Sequence, residues 1–196
     1  LDATVRDAVA AVREYVPGYR LRVPPPRQAE DVITVTVGVE GDTDRWETNT
    51  ARNGDIVNGD DVTATGLFVE HFQQHNTIWN GERGRVVLYQ NELPYDPPSQ
   101  EDWTQPDGTL GYAGYKVGDG VTTHRLWGGG SYVYNRNDPS IVTEHGFEVP
   151  EVPGVRLHHL LTVNLGAGTV RHVVNDTGAQ VDNSTTGTPA YVVDFP

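Results

Sequence analysis

Short runs of β-branched, aromatic and aliphatic residues alternate with Gly, Asn and Asp over most of the chain from Asn58 onward. This punctuation is typical of strands that are separated by turns. The runs predict strands at residues 62–72, 85–92, 121–127, 131–135, 155–164 and 169–175. We therefore expect an all-β protein, built either as a solenoid or as a sandwich.

The first 45 residues have a different pattern. Valines recur every three or four positions over residues 1–16 and Pro17-Gly18 follows, which predicts a short N-terminal helix. Three prolines at 24–26 indicate an extended linker, and the β-branched run 32–39 predicts a strand. We divide the chain into residues 1–45, to which we assign no role, and a β domain at 46–196.

One stretch of the chain repeats the stretch before it at a fixed offset. Five residues recur 22 positions later, as the pairs Ile56/Ile78, Asn58/Asn80, Gly59/Gly81, Asp60/Glu82 and Glu70/Glu92. A constant period of this size indicates stacked coils and favours a parallel β-helix over a sandwich. The paired residues, and Ala64 with Val86, should then lie on neighbouring strands, with the isoleucines turned inward and the asparagines at a corner.

The repeat ends in two carboxylates, Glu70 and Glu92, which should be neighbours on adjacent coils. Like charges at the strand spacing repel, so we expect one of the two carboxyls to be held protonated near neutral pH. Most glycoside hydrolases use a pair of carboxyls with different proton affinities as their catalytic groups. Alternatively, both side chains point into solvent and splay apart.

Charge and composition exclude several other classes of function. The chain has 14 Lys and Arg against 27 Asp and Glu, a net charge of −13, which disfavours binding to nucleic acid or to an anionic membrane. The absence of cysteine excludes disulfides and thiolate metal sites. No apolar run approaches the roughly 20 residues of a membrane span. If the protein is secreted, we expect its signal to have been removed.

Aromatic residues accompany the carboxylates, and sugar rings offer apolar faces to such side chains. The loop-like segment 94–119 is long and contains four of these aromatics, which favours a functional role. The spacing of His71 and His75 would suit zinc only on a helix, so we expect no metal and no cofactor. Two glycosylation sequons begin at Asn175 and Asn183.

Several motifs together resemble glycoside hydrolase family 55, and within it the actinobacterial exo-β-1,3-glucanases. The motifs are Val62-Thr-Ala-Thr-Gly-Leu-Phe-Val-Glu-His71, Trp79-Asn-Gly-Glu82, Tyr89-Gln-Asn-Glu-Leu-Pro-Tyr-Asp-Pro-Pro98, Gly111-Tyr-Ala-Gly-Tyr115, Leu126-Trp-Gly-Gly-Gly-Ser-Tyr132 and His159-Leu-Leu-Thr-Val-Asn-Leu165. The resemblance covers residues 46–196 and corresponds to the C-terminal half of the family's proteins.

This resemblance implies a right-handed, pectate-lyase-like β-helix that packs against a second, N-terminal β-helix absent from this chain. It implies a secreted, inverting enzyme that releases glucose from the non-reducing end of β-1,3-glucan. Glu92 would be the general acid, and Glu70 would hold or activate the attacking water. The residues that would bind substrate are Gln90, Tyr95, Trp79, Trp103, Trp127 and His71.

Two other functions stay open at this stage. A β-helix that binds β-glucan without catalysis would keep the aromatic subsites but lack the groups that position water. A β-helical polysaccharide lyase is a weaker alternative, since lyases act on polyanionic substrates and this chain is strongly acidic.

Overall fold

The computed structural model of the protein describes residues 45–48 and 50–196. The predicted N-terminal helix, the proline linker and the strand at 32–39 lie outside these residues, as does nearly all of the segment 1–45. No helix in the described part of the chain is long and apolar enough to cross a membrane.

The described residues form two five-stranded sheets, and the chain crosses from one sheet to the other after every strand up to β9. The first sheet is parallel and has the order β1-β3-β5-β7-β9. The second has the order β10-β8-β6-β4-β2, in which only β10 is antiparallel to its neighbour. The strands are β1 (Asp55–Val57), β2 (Thr63–Phe68), β3 (Thr77–Trp79), β4 (Gly84–Glu92), β5 (Tyr115–Val117), β6 (His124–Tyr134), β7 (Val142–Glu148), β8 (Val155–Ala167), β9 (Thr169–Val174) and β10 (Ala190–Phe195).

Each coil therefore adds one strand to each sheet, which is the winding expected of a solenoid. The 22-residue register is confirmed in both sheets, where Ile56 pairs with Ile78 and Ala64 pairs with Val86. The asparagines stack at the corner that follows, because Asn80 Nδ2 donates to Asn58 Oδ1 at 2.8 Å. This side-chain hydrogen bond joins equivalent turns of two successive coils.

The prediction that the isoleucines point inward is wrong. Ile56 is 53% exposed, whereas Trp79, one position beyond Ile78 on β3, is completely buried. Because side chains alternate between the two faces of a strand, only one of these positions can enter the core. The core takes the larger residue, Trp79, and its partner Val57 from the preceding coil.

A bend crosses the second sheet at the same place in four successive coils. Gly66, Leu88, Gly128 and His159 have φ angles of 63°, 62°, 74° and 56°, all in the left-handed region. The strands pair on both sides of these residues, Thr65 with Val87 and Leu67 with Tyr89 for example. The two strands predicted at 121–127 and 131–135 are consequently one strand, β6, bent at Gly128.

The five strands β1, β3, β5, β7 and β10 were not predicted from the local residue pattern, and only the 22-residue repeat indicated β1 and β3. Three of them have only three residues, too few for an alternating pattern to be recognised. The segment 94–119 is also more structured than expected. It contains β5, and its Trp103 and Tyr115 are completely buried in the core.

Candidate active site

The two glutamates lie one coil apart at the ends of β2 and β4. The ladder continues beyond the last residue of β2, because the Val69 amide donates to the Gln90 carbonyl at 3.1 Å and the His71 amide to the Glu92 carbonyl at 2.9 Å. This pairing keeps the 22-residue offset as far as Glu70 and Glu92. Both side chains are half-buried.

Alternation along the strands sets which side chains share the outer face with the glutamates. Val69 and Asn91 are buried, and the residues on either side of them are more exposed. Glu92 pairs with Tyr132 of the next coil, and Gln90 pairs with Gly130. The outer face beyond the bend therefore carries a row of polar and aromatic side chains across three coils.

Two side chains converge on one oxygen of Glu92. The Oε2 atom accepts a hydrogen bond from the Tyr95 hydroxyl and lies 3.2 Å from Nε2 of His71. The hydrogen bond with His71 is the main reason that the pKa of Glu92 is lowered, and the bond from Tyr95 acts in the same direction against partial burial. Glu92 is therefore ionised at neutral pH in this state, so it is not the carboxyl that repulsion within the pair would hold protonated.

Tyr95 is affected in the opposite direction. Partial burial and the hydrogen bond to the Glu92 carboxylate raise the pKa of the Tyr95 hydroxyl. The hydroxyl consequently remains a proton donor throughout the neutral range. The Tyr95 ring packs edge-on against Tyr134 at 5.4 Å, and the Arg136 guanidinium lies 5.4 Å from its centroid.

Glu70 is held by a different group. Gln90 Nε2 donates to Glu70 Oε1 at 2.8 Å. Since Gln90 holds Glu70 while His71 and Tyr95 hold Glu92, the two carboxyls are tied to separate anchors although their backbones are adjacent. Five of the eight site residues predicted from the sequence are thus brought together, namely Glu70, His71, Gln90, Glu92 and Tyr95.

Two of the predicted sugar-binding tryptophans are core residues, and their assignment to the site is wrong. Trp79 is completely buried on the inner face of β3, with its ring 5.1 Å from that of His124. Trp103 is also completely buried, and its Nε1 donates to Thr143 Oγ1 at 3.0 Å. Neither indole can contact a ligand on the outer face.

Trp127 is partly exposed but lies on the other side of the bend. It pairs with Val87, five positions before Glu92 along β4, and it stacks on His158 with the ring centroids 6.0 Å apart. At about 3.3 Å per residue this offset is about 16 Å along the strand. The structure therefore does not bring Trp127 to the carboxylates.

A shallow groove of about 230 Å³ runs beside the glutamates across the second sheet. Its floor is the glycine segment 128–130, and its walls include Phe68, Gln90, Tyr132 and Leu161. The Tyr132 ring lies over Gly130, so close that a Cβ at Gly130 would lie 3.0 Å from the ring. Glycine therefore has two roles in this segment. Gly128 allows the strand to bend, and Gly130 leaves the floor of the groove free of a side chain.

Two further residues of the site were not among the eight predicted site residues. Tyr132 pairs with Glu92, but the offset of 40 residues between them does not match the 22-residue period that signalled the earlier pair. Asn76 is completely buried, and its Nδ2 donates to the Glu92 carbonyl at 2.9 Å. An asparagine in a turn-rich segment gives no sign in the sequence that it supports a neighbouring coil.

The described residues contain no group of three or more His, Asp or Glu side chains that could hold a metal ion. His75 is buried, and its Nδ1 lies 2.8 Å from the carbonyl oxygen of Ala113. Burial lowers the pKa of His75, which keeps the ring neutral. His75 is therefore a core residue that bonds to the next coil.

Comparison with known proteins shows what this chain is similar to. The LAM55 pectate lyase-like domain matches residues 29–92. A protein of Streptomyces sp. (strain SirexAA-E / ActE) that is named Exo-beta-1,3-glucanase is 51% identical over 152 residues, which are 77% of this chain. The resemblance drawn from the sequence motifs is thereby confirmed.

Two solved structures share the fold of this chain. The structure of sacteLam55A from Streptomyces sp. SirexAA-E superposes with a TM-score of 0.76 and 49% identity, over 81% of this chain and 29% of that protein. A variant of sacteLam55A in complex with glucose superposes with a TM-score of 0.80 and 46% identity, over 85% of this chain and 31% of that protein. This chain spans about a quarter to a third of the length of these relatives.

Proposed function

We propose that this chain belongs to an enzyme that hydrolyses β-1,3-glucan, and that Glu92 and Glu70 are its catalytic carboxylates. The observation that carries the proposal is the pair of glutamates stacked one coil apart on the outer face, each held by its own partners. The 51% identity to a protein named Exo-beta-1,3-glucanase supports β-1,3-glucan as the substrate. The glucose bound to the sacteLam55A variant supports a site for glucose units.

In this proposal Glu92 protonates the glycosidic oxygen, and Glu70 orients the water that attacks the anomeric carbon. An inverting enzyme needs roughly 6.5–9.5 Å between its two carboxyls, which is wider than the strand spacing of about 4.8 Å. Separate anchors for the two side chains, Gln90 for Glu70 and His71 with Tyr95 for Glu92, are consistent with such divergence. The Gln90 amide and the ring of Tyr132 would contact the sugar.

The lowered pKa of Glu92 sets a condition on this mechanism. A general acid must carry a proton when the substrate is bound, so the carboxyl needs a less hydrated environment than it has in this structure. We infer that bound glucan and the remainder of the whole protein cover Glu92 and raise its pKa. Exposed apolar side chains on the second sheet, among them Phe68 and Leu88, support such a covering partner.

The remaining details of the proposal rest on the family resemblance and on general rules. We propose a right-handed coil, because crossovers between parallel strands of one sheet are almost always right-handed. The covering partner would be an N-terminal β-helix domain of the same protein, and the short helix at residues 1–16 would precede the first strands. We also propose secretion and release of glucose from the non-reducing end.

Digestion of laminarin tests the proposal. The protein that contains this chain, and the chain by itself, would be incubated with laminarin and the products followed by proton NMR. The proposal expects glucose from the whole protein, first as the α anomer, since inversion of a β linkage gives that product. Absence of glucose from folded whole protein would refute it.

One observation favours a second function for the chain in isolation. The lowered pKa of Glu92 disfavours the protonated form that a general acid needs, so we infer that the chain alone binds β-1,3-glucan in the groove lined by Gln90 and Tyr132 without cleaving it. Calorimetric titration of the chain with laminari-oligosaccharides separates the two functions. Binding without glucose release by the whole protein would favour a non-catalytic binding module.

A further inference from the structure

The backbone of His71 has an unusual conformation. Its φ angle of 66° lies in the left-handed region, which is uncommon for residues other than glycine, although asparagine, aspartate and histidine adopt it more often than other side chains do. A strained residue persists only where its surroundings fix it, and such residues cluster at functional sites. His71 immediately follows Glu70 in the chain and lies beside Glu92.

Three hydrogen bonds made by His71 and Phe72 fix this conformation, and each runs to Glu92 or to Asn76, which supports Glu92. The His71 amide donates to the Glu92 carbonyl at 2.9 Å. The next amide, that of Phe72, donates to Asn76 Oδ1 at 3.1 Å, and Asn76 Nδ2 donates to the same Glu92 carbonyl. The third is the contact of 3.2 Å between His71 Nε2 and Glu92 Oε2.

The His71 ring is also fixed by packing. It lies against the Tyr95 ring, with the centroids 4.3 Å apart, and its side chain is only 11% exposed. Tyr95 donates its hydroxyl to the same Oε2 atom. Within the described part of the chain Oε1 of Glu92 has no hydrogen-bond partner, so the two oxygens of the carboxyl are not equivalent.

We propose that His71 is a positioning residue for Glu92 and not a residue that binds sugar. Together with Tyr95 it occupies Oε2, fixes the plane of the carboxyl, and leaves Oε1 as the oxygen that meets the glycosidic bond. This assignment rests on the proposed function, because it gives Oε1 its role as proton donor. It replaces the role in substrate binding that the sequence motif implied for His71.

Among the described residues, three other charged or titratable groups lie near the pair. Glu70 lies on the preceding coil, Tyr132 pairs with Glu92 on the next coil, and the Arg136 guanidinium lies 5.4 Å from the Tyr95 ring centroid. None of these replaces the contact to Oε2. Removing the imidazole should therefore change both the orientation of the Glu92 carboxyl and the pH at which it titrates.

Titration of Glu92 by carbon-13 NMR of its carboxyl group tests the proposal without any need for activity. The signal is assigned by its loss in Glu92→Gln. In His71→Phe the carboxyl should titrate at higher pH than in the native chain, whereas His71→Gln, which keeps an N–H donor, should lie between the two. His158→Gln is the matched control, because His158 pairs with the carboxylate of Asp194 at 2.6 Å far from the site.

An unchanged Glu92 titration in folded His71→Phe would overturn the proposal. Should that variant fail to fold, His71→Asn serves instead, since asparagine tolerates the left-handed conformation and is too short to reach Oε2. Retention of the native titration in His71→Asn would be equally decisive against it.

Kinetics with laminarin supply the second readout. In the whole protein His71→Phe should lower kcat by about 10–100-fold, as expected from misplacement of a reacting group, with little change in KM. The alkaline limb of its pH profile should move to higher pH. A raised KM with unchanged kcat would instead assign His71 to sugar binding. If the proposed function is wrong, no variant will release glucose from laminarin. The NMR titration would still test whether His71 positions Glu92.

Discussion

Lowering the pH from 6.5 to 4 should weaken the fold by about 3 kcal/mol through His124 alone. His124 is the first residue of β6 and is completely buried among aromatic side chains. Its Nε2 shares a hydrogen bond of 2.8 Å with the Tyr115 hydroxyl, and its Nδ1 has no partner among the described residues. Burial lowers the pKa of His124 from 6.5 to about 4.

The sign follows from proton binding. Between pH 6.5 and 4 the unfolded chain protonates His124 and the folded chain does not, so the free energy of unfolding falls as protons are added. Each pH unit in this window costs about 1.4 kcal/mol, and the loss is complete near pH 4. Above pH 6.5 this residue contributes no pH dependence.

The double variant Tyr115→Phe/His124→Phe is the matched comparison. It removes the titrating ring and its hydrogen-bond partner together, so that no buried hydroxyl is left unpaired, and it keeps an aromatic ring at both positions. Urea unfolding would be followed by tryptophan fluorescence at pH 7.5, 6.5, 5.5 and 4.5. Other acid-sensitive groups, including buried His75, remain in both proteins and cancel in the difference.

We expect the native chain to lose about 2–3 kcal/mol more than the double variant between pH 6.5 and 4.5. Parallel pH dependence of the two proteins would refute the argument. It would mean that the folded state accommodates the imidazolium, for example by admitting water next to Nδ1.

Further predictions follow from individual contacts. Glu92→Gln should reduce laminarin hydrolysis by about 10²–10⁴-fold while binding in calorimetry survives, and equal loss on an activated aryl glucoside would argue against Glu92 as the acid. Asp55→Asn should raise the Tm at pH 7 but not near pH 3, because burial raises the pKa of Asp55 and its charged form opposes folding. Gly84→Ala should cost about 1–3 kcal/mol in urea unfolding, since its Cβ would lie 2.2 Å from the buried Trp79 Nε1. In a eukaryotic secretory host, peptide mass spectrometry should find glycan on exposed Asn183 and none on Asn175, whose Nδ2 donates to the Val149 carbonyl at 2.9 Å.

The fold could be predicted where successive coils have the same length. The first two coils repeat after 22 residues, so the pairs in β1/β3 and β2/β4 could be read directly. The next coil contains the segment 94–119, and the offset grows to 38 residues between Ile78 and Lys116. A period that changes from coil to coil leaves no repeat in the sequence, although the ladder continues without interruption.

The same limit explains which site residues were found. Glu70, His71, Gln90, Glu92 and Tyr95 lie on the two coils whose register was known, and they form one cluster. Trp79 and Trp103 were misassigned because an indole suits a sugar subsite and a core equally well. Strand β3 has only three residues, so no alternation could show that Trp79 points inward.

The bend in the second sheet shows how the ladder overrides local preference. Glycine at Gly66 and Gly128 suits the left-handed conformation, but Leu88 and His159 adopt it as well. Parallel strands in register must bend at the same level, since a straight strand would lose its hydrogen bonds beyond that point. Leu88 is therefore strained by its neighbours in the sheet, and half of its surface is left exposed.

His71 differs, because the bonds that fix its backbone run to Glu92 and to Asn76, whose side chain also bonds the Glu92 carbonyl. Strain at Leu88 serves the shape of the coil, whereas strain at His71 serves the position of one carboxylate.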